Sequence, residues 1–180
     1  MGFGSHPHQN METITYVLEG TLAHKNGTGH QENINARDIQ KMSAGTGVMR
    51  SEFNTDIKKA VHIFQIWILP NKRGVPPEYQ QTTIQKFLKD GLLLIASSQK
   101  GADTIFLQQD AQVFIGCFKT AAKYSYNIKP KRGLWLQMTA GHTVVNEQEL
   151  NASDAAAVEN EPALTIKTLK DSKFLLFDLA

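Results

Sequence analysis

Short runs of strand-type residues, cut by glycine turns about every ten residues, constrain this chain more than any other feature. The runs are Thr13 to Leu18, Val61 to Ile68, Val113 to Phe118, Leu134 to Met138, His142 to Val145, Leu164 to Lys167 and Phe174 to Phe177. Their β-branched and aromatic content favours a half-buried pleated surface. Gly20, Asn26-Gly27, Gly45-Thr46-Gly47, Gly101, Gly133 and Gly141 punctuate them. One short helix is expected, around Thr82 to Leu88. This spacing predicts an all-β sandwich or barrel and excludes repeated βαβ units. With 180 residues and 41% hydrophobic content, such a chain buries about 70% of its unfolded surface.

Two β units are expected. Pro70 to Pro77 carries three prolines, which remove ladder donors and rule out a central strand. The reading places a first unit at 1–70, a linker at 71–77 and a second unit at 78–180. An internal echo supports it. Gly20 precedes strand residues and then Asn35-Ala36-Arg37-Asp38; Gly141 precedes strand residues and then Asn151-Ala152-Ser153-Asp154. Self-similarity on this scale marks a repeated supersecondary unit.

Charge excludes some partners. Nineteen Lys and Arg against seventeen Asp and Glu leave +2, which gives no electrostatic case for nucleic acid or an acidic membrane. The apolar runs are too short to span a bilayer as helices, and no basic-then-apolar leader opens the chain, so a cytoplasmic protein is expected. The single cysteine, Cys117, lies in an apolar strand-like run and reads as a buried structural thiol.

His6-Pro7-His8 is the most chemical feature. Alternate strand residues share a face, so the two imidazoles project together, as two ligands of one metal must. Glu12 follows nearby, and Arg50-Ser51-Glu52 puts Arg50 and Glu52 on one face of another strand. His6, His8 and Glu52 together offer two imidazoles and one carboxylate, a set that suits non-haem iron.

Several motifs in order, Gly2-Phe3-Gly4-Ser5-His6-Pro7-His8, Met11-Glu12, Tyr16-Val17-Leu18-Glu19-Gly20, Met42-Ser43-Ala44-Gly45-Thr46-Gly47 and Ser51-Glu52-Phe53-Asn54, resemble the pirins. Phe174 to Leu179 resembles that family's closing strand. The resemblance implies an all-β bicupin, two cupin-type barrels with the N-terminal barrel incomplete because its first strands are missing. It implies a metal in that barrel, iron foremost, held by His6, His8 and Glu52. It also implies oxidoreductase chemistry like that of the quercetin 2,3-dioxygenases, with Glu52 or Glu12 as catalytic base and Phe3, Phe53 and Trp67 as an aromatic wall.

Arg50 departs from the pattern. It stands where the family carries its third histidine ligand, and a guanidinium donates only. At ~4 Å and an effective dielectric of ~20, each pair of like unit charges costs about 4 kcal/mol, and a dication about twice that. His24 and His30, flanking a turn, are expected to be exposed, and His62 to be a core residue. Matching Gly20 to Gly141 and Asp38 to Asp154 sets Asn127, Lys129, Ile166 and Thr168 at the ligand positions of the second unit, which leaves it structural or partner-binding. Lys129, Lys131 and Arg132 read as a solvated basic turn. Three functions stay open: flavonol cleavage, a non-enzymatic interaction module with a protein partner, and a metal-free cupin in which Arg50 receives a small anion. The exposed edge of a shortened barrel predicts self-association into a homo-oligomer.

Overall fold

The computed structural model describes residues 1–27, 31–84, 90–101 and 104–180. Among these, every helix or strand assigned is a strand, and no helix is long and apolar enough to cross a membrane. The chain divides into two compact units, Met1–Lys86 and Phe87–Ala180.

Among the described residues, the first unit holds eight strands: β1 (Gly2–His8), β2 (Glu12–Glu19), β3 (Thr21–Asn26), β4 (Gln31–Asn35), β5 (Asp38–Ser43), β6 (Val48–Asn54), β7 (His62–Ile68) and β8 (Glu78–Thr83). They form two antiparallel sheets, β1-β6-β3-β4 and β7-β2-β5-β8. Hydrogen bonds from Gln65 on β7 to Glu52 on β6 show that the sheets face one another. Val17, Leu22 and Ile34 seal one region of the interior, with Val61 and Ile63 against them.

Among the described residues, the second unit holds ten strands: β9 (Gly91–Ser97), β10 (Ile105–Phe106), β11 (Ala111–Phe118), β12 (Ala122–Asn127), β13 (Gly133–Ala140), β14 (His142–Val145), β15 (Gln148–Asn151), β16 (Ala155–Val158), β17 (Ala163–Thr168) and β18 (Ser172–Leu179). Their sheet orders are β10-β9-β11-β18-β13-β16 and β12-β17-β14-β15. Cys117 is buried in β11, as a structural thiol should be.

The two units repeat one topology. The order β1-β6-β3-β4 matches β12-β17-β14-β15, and β7-β2-β5 matches β18-β13-β16. The turns repeat too. Gly20 and Gly141 have φ of 82° and 77°, a region open to glycine at little cost. Asp38 accepts from the backbone N–H of Asn35 at 2.8 Å, and Asp154 accepts from that of Asn151 at 2.8 Å. Arg37 and Ser153 take the matching positive φ, 73° and 76°. The Asn-Ala-x-Asp echo is therefore a shared turn.

Two expectations change. Strand β8 pairs with β5, so it completes the first unit, where the reading that began the second unit at 78 had excluded it. The proline segment joins β7 to β8 within that unit, with Val75 O accepting from the backbone N–H of Thr46 at 3.0 Å. The prolines do mark a break in pairing, but the break falls inside a unit. The helix expected around Thr82 to Leu88 does not begin as one: Thr82 and Thr83 close β8, because pairing with Ile39 and Asp38 outweighs local propensity. Residues 85–88 of that expectation lie outside the described residues, as does His30.

Candidate functional site

The interior face of the first unit follows from pairing. His6 lies opposite Arg50, and His8 opposite Val48. His24 lies opposite Glu52. Thr15 lies opposite both Gln40 and Gln65, and Thr13 opposite Trp67. Residues directly opposite one another share a face, so these side chains line one space between the sheets.

His6 and His8 do project together, with ring centroids 4.9 Å apart. His6 Nδ1 lies 2.7 Å from the carbonyl of Gly4. That contact assigns the proton to Nδ1 and leaves the lone pair on Nε2. Arg50 Nε donates to this lone pair at 3.4 Å. Arg50 Nη2 donates to Gln65 Oε1 at 2.8 Å and stands 3.4 Å from Glu52 Oε2. Gln65 Nε2 donates to both carboxylate oxygens of Glu52, at 3.1 and 3.0 Å. Trp67 Nε1 adds a bond to Gln65 Oε1 at 3.0 Å, and its ring lies 5.3 Å from that of His8. Arg50 and Glu52 are each only 1% exposed. Burial, then the charges of Arg50 and His6, hold the His8 pKa below its usual value against the pull of Glu52. Burial likewise lowers the Arg50 pKa, with Glu52 opposing.

Glu12 is elsewhere. It shares a face with Ile14 and Lys41, opposite to that of Thr13 and Gln65. Lys41 Nζ lies 3.1 Å from its carboxylate, and Ser43 Oγ donates to it at 2.7 Å. The structure thus brings His6, His8, Arg50 and Glu52 together and leaves Glu12 on the far side of β2. Of the aromatic wall, Phe3 and Trp67 touch the histidines, at 6.5 Å from His6 and 5.3 Å from His8. Phe53 alternates to the other face of β6 and is exposed.

His24, expected at the surface, is fully buried and stacks on Tyr79 at 5.7 Å. Position beside an Asn-Gly turn says nothing about which face of the strand a residue takes. His62 is exposed at the start of β7, not in the core. Arg132, grouped with a solvated turn, is tied to Asp178 and to Asp110 at 3.0 Å.

The interior is polar and incompletely bonded. His8 Nε2, the hydroxyls of Thr13 and Thr15, both amide atoms of Gln40 and Arg50 Nη1 are buried without a hydrogen-bond partner. A cavity of about 450 Å³ in the same unit is lined in part by Asn26, Met42, Val48 and Tyr79, of which Asn26 lies opposite Arg50 and Met42 opposite Thr13 and Tyr79. The second unit provides an internal control. Pairing sets Tyr126 opposite Leu164 as His6 is set opposite Arg50, and Val145 opposite Ile166 as His24 is set opposite Glu52. Leu136 pairs with Leu176 and Ala156 where Thr15 pairs with Gln65 and Gln40. The ligand positions are therefore Tyr126, Ile128, Leu164 and Ile166, one or two residues from those set by sequence alignment alone. They belong to, or pack against, a continuous apolar cluster.

A first-row dication does not fit the first site as these residues stand. The His6 lone pair and both Glu52 oxygens are engaged by Arg50 and Gln65, and a buried cation already occupies the centre. Among the described residues, no three His, Cys, Asp or Glu side chains are grouped to hold a metal ion.

Two repeated units of largely antiparallel strands, with a polar site inside the first and an apolar filling in the second, define a bicupin. Residues 1–68 match the family described as Pirin, and residues 94–179 match the quercetinase C-terminal cupin domain. The chain belongs to the pirin family. It is 35% identical over 178 residues to the quercetin 2,3-dioxygenase of Escherichia coli K12, spanning 99% of this chain and 76% of that protein. A pirin-like protein of Caulobacter vibrioides is 34% identical over 181 residues, 99% of this chain and 78% of that one. The crystal structure of YhhW from Escherichia coli superposes with a TM-score of 0.95 at 35% identity, covering 100% of this chain and 76% of that one. A second structure, of the bacterial pirin YhhW in complex with nickel(II), gives 0.92 at 36% identity, covering 99% and 76%.

Proposed function

We propose that this chain is a small-molecule-binding pirin that works from the interior of its first unit, with a flat, oxygen-rich aromatic of the flavonol class as its ligand. The carrying observation is the contrast between the two interiors. One fold fills these positions with Leu and Ala in the second unit and keeps Thr15, Gln40, Arg50 and Gln65 in the first. Each buried polar group left unsatisfied costs about 1–3 kcal/mol, a cost that a ligand rich in hydroxyl and carbonyl oxygens removes. The cavity of about 450 Å³ lies within the range of small-molecule sites. The aromatic class rests on the relatives named quercetin 2,3-dioxygenase and on Phe3 and Trp67 beside the histidines. Binding without turnover suits a regulatory or interaction module.

The second reading is oxygen-dependent ring opening of the flavonol, with iron or another first-row metal on His6, His8 and Glu52. The 35% identity to a quercetin 2,3-dioxygenase and the nickel-bound pirin favour it. It requires Arg50 to leave its bonds with His6 and Gln65.

Metal content and oxygen uptake with quercetin, measured on the wild type and on Arg50→His, separate the two. The first reading expects quercetin to bind the wild type, seen as quenching of tryptophan fluorescence, with little metal and no oxygen uptake. It expects Arg50→His to gain metal. Equimolar metal and flavonol turnover in the wild type would overturn it in favour of the second.

A further inference from the structure

We infer that the ligand docks an anionic oxygen, from a carboxylate or an ionised phenol, on Nη1 of Arg50, so that the guanidinium is the resident cation of the site. This rests on reading the first-unit interior as a ligand chamber. Arg50 is 1% exposed and carries a full charge. Its Nε and Nη2 are spent on neutral acceptors, the His6 lone pair and the Gln65 carbonyl oxygen. Its Nη1 has no partner.

The nearby carboxylate does not fill that role. Glu52 Oε2 pairs with Nη2 at 3.4 Å and both its oxygens also accept from Gln65, so this ion pair leaves Nη1 unbonded. Gln65 bridges the same two groups, its amide nitrogen donating to Glu52 and its oxygen accepting from Arg50. A buried guanidinium nitrogen without a partner can receive an anionic oxygen, because charge-assisted bonds are the strong ones and the fork of Arg matches an oxyanion.

Further groups can complete the receptor. His8 Nε2 and the hydroxyls of Thr13 and Thr15 are unpartnered on the same interior face, and each can donate or accept. The route in is the cavity lined by Asn26, Met42, Val48 and Tyr79. Val48 lies two residues from Arg50 on β6, and Asn26 pairs with Arg50 between β3 and β6, so two of the cavity's lining residues share the face that carries the guanidinium. Glu52 repels an anion through space, which makes it the diagnostic residue.

The test is isothermal titration calorimetry of the wild type, Arg50→Gln and Glu52→Gln with three probes: benzoate, quercetin, and unsubstituted flavone, which has no ionisable hydroxyl. Arg50→Gln should weaken benzoate or quercetin about 10- to 100-fold, the range of a hydrogen bond to a charged group. Glu52→Gln should tighten the same probe, a gain that a folding defect cannot produce. Flavone should respond to neither. A response confined to benzoate assigns the oxygen to a carboxylate, and one confined to quercetin assigns it to an ionised phenol. Unchanged affinities in Arg50→Gln, or weaker binding in Glu52→Gln, would overturn the inference. Flavone bound equally by all three proteins would then leave the chamber reading standing. Failure of all three probes to bind the wild type would overturn both.

Discussion

The side-chain amide of Gln65 donates to both carboxylate oxygens of Glu52, at 3.1 and 3.0 Å, while both residues sit within the first unit. The same amide accepts from Arg50 and from Trp67, so one neutral residue bridges the Arg50–Glu52 ion pair, whose own contact is 3.4 Å. Gln65→Leu matches the residue at the equivalent place in the second unit, Leu176, yet it removes bonds to two buried charges. It should destabilise the protein by about 2–4 kcal/mol, since charged partners left unpaired lose most. Chemical denaturation reads this directly. A loss below about 0.5 kcal/mol would show that Arg50 and Glu52 simply close on one another.

The hydroxyls of Thr13 and Thr15 are buried without partners. Replacing an unsatisfied hydroxyl by a methyl of the same shape removes a desolvation cost. Thr15→Val should therefore stabilise the free protein by about 1 kcal/mol, a rise in Tm of about 2–4 °C for a chain of this size. The same change should weaken quercetin binding. A fall in Tm would mean that the hydroxyl is satisfied in solution and that the interior is less demanding than proposed.

In the second unit, Tyr126 donates its hydroxyl proton to Asp178 at 2.5 Å, and Arg132 grips the same carboxylate. Burial first, then the bond to Asp178 and its charge, raise the phenol pKa above the ordinary 10.0, with Arg132 opposing. The folded state therefore keeps the Tyr126 proton at pH values where the unfolded chain has lost it. The stabilisation is fully present below pH 10 and fades as pH rises towards the folded value. Tyr126→Phe should cost about 1 kcal/mol at pH 7, and the gap to wild type should narrow above pH 10. Thermal melts of both proteins across pH 7 to about 11 would check it; a constant gap would place the phenol elsewhere.

A β-carbon at Gly141 would lie 2.7 Å from the carbonyl oxygen of Asp171, and its φ is 77°. Gly141→Ala should cost about 1–2 kcal/mol from the left-handed conformation alone, and more from the clash. At Gly4, where a β-carbon meets nothing within 4 Å, the same change should move stability by less than about 0.5 kcal/mol. Equal effects at the two positions would contradict the shared turn.

Much of this was legible in the residues. Strands β2, β7, β11, β13, β14, β17 and β18 follow apolar, β-branched runs, because those side chains need a buried face. Polar strands such as β4, Gln31–Asn35, and β12, Ala122–Asn127, left no such signal; their pairing partners hold them in place. The site was half visible. His6 and His8 show by spacing, and Gln65 stands out as a polar residue within the apolar run Ile63 to Leu69. Thr13 and Thr15 alternate with Ile14 and Tyr16, which marks two faces without saying which one is interior.

The sequence alone determined an all-β chain of two related units, with the Asn-Ala-x-Asp turn in both. These are local facts, set by turn chemistry, alternation and residue identity. Only the tertiary structure decided that β8 belongs to the first unit, that Glu12 faces away with Lys41, and that His24 is buried. It alone shows that Gln65 bridges Arg50 and Glu52. Each depends on which strands pair and in what register, and a shift of one residue moves a side chain to the opposite face of its sheet.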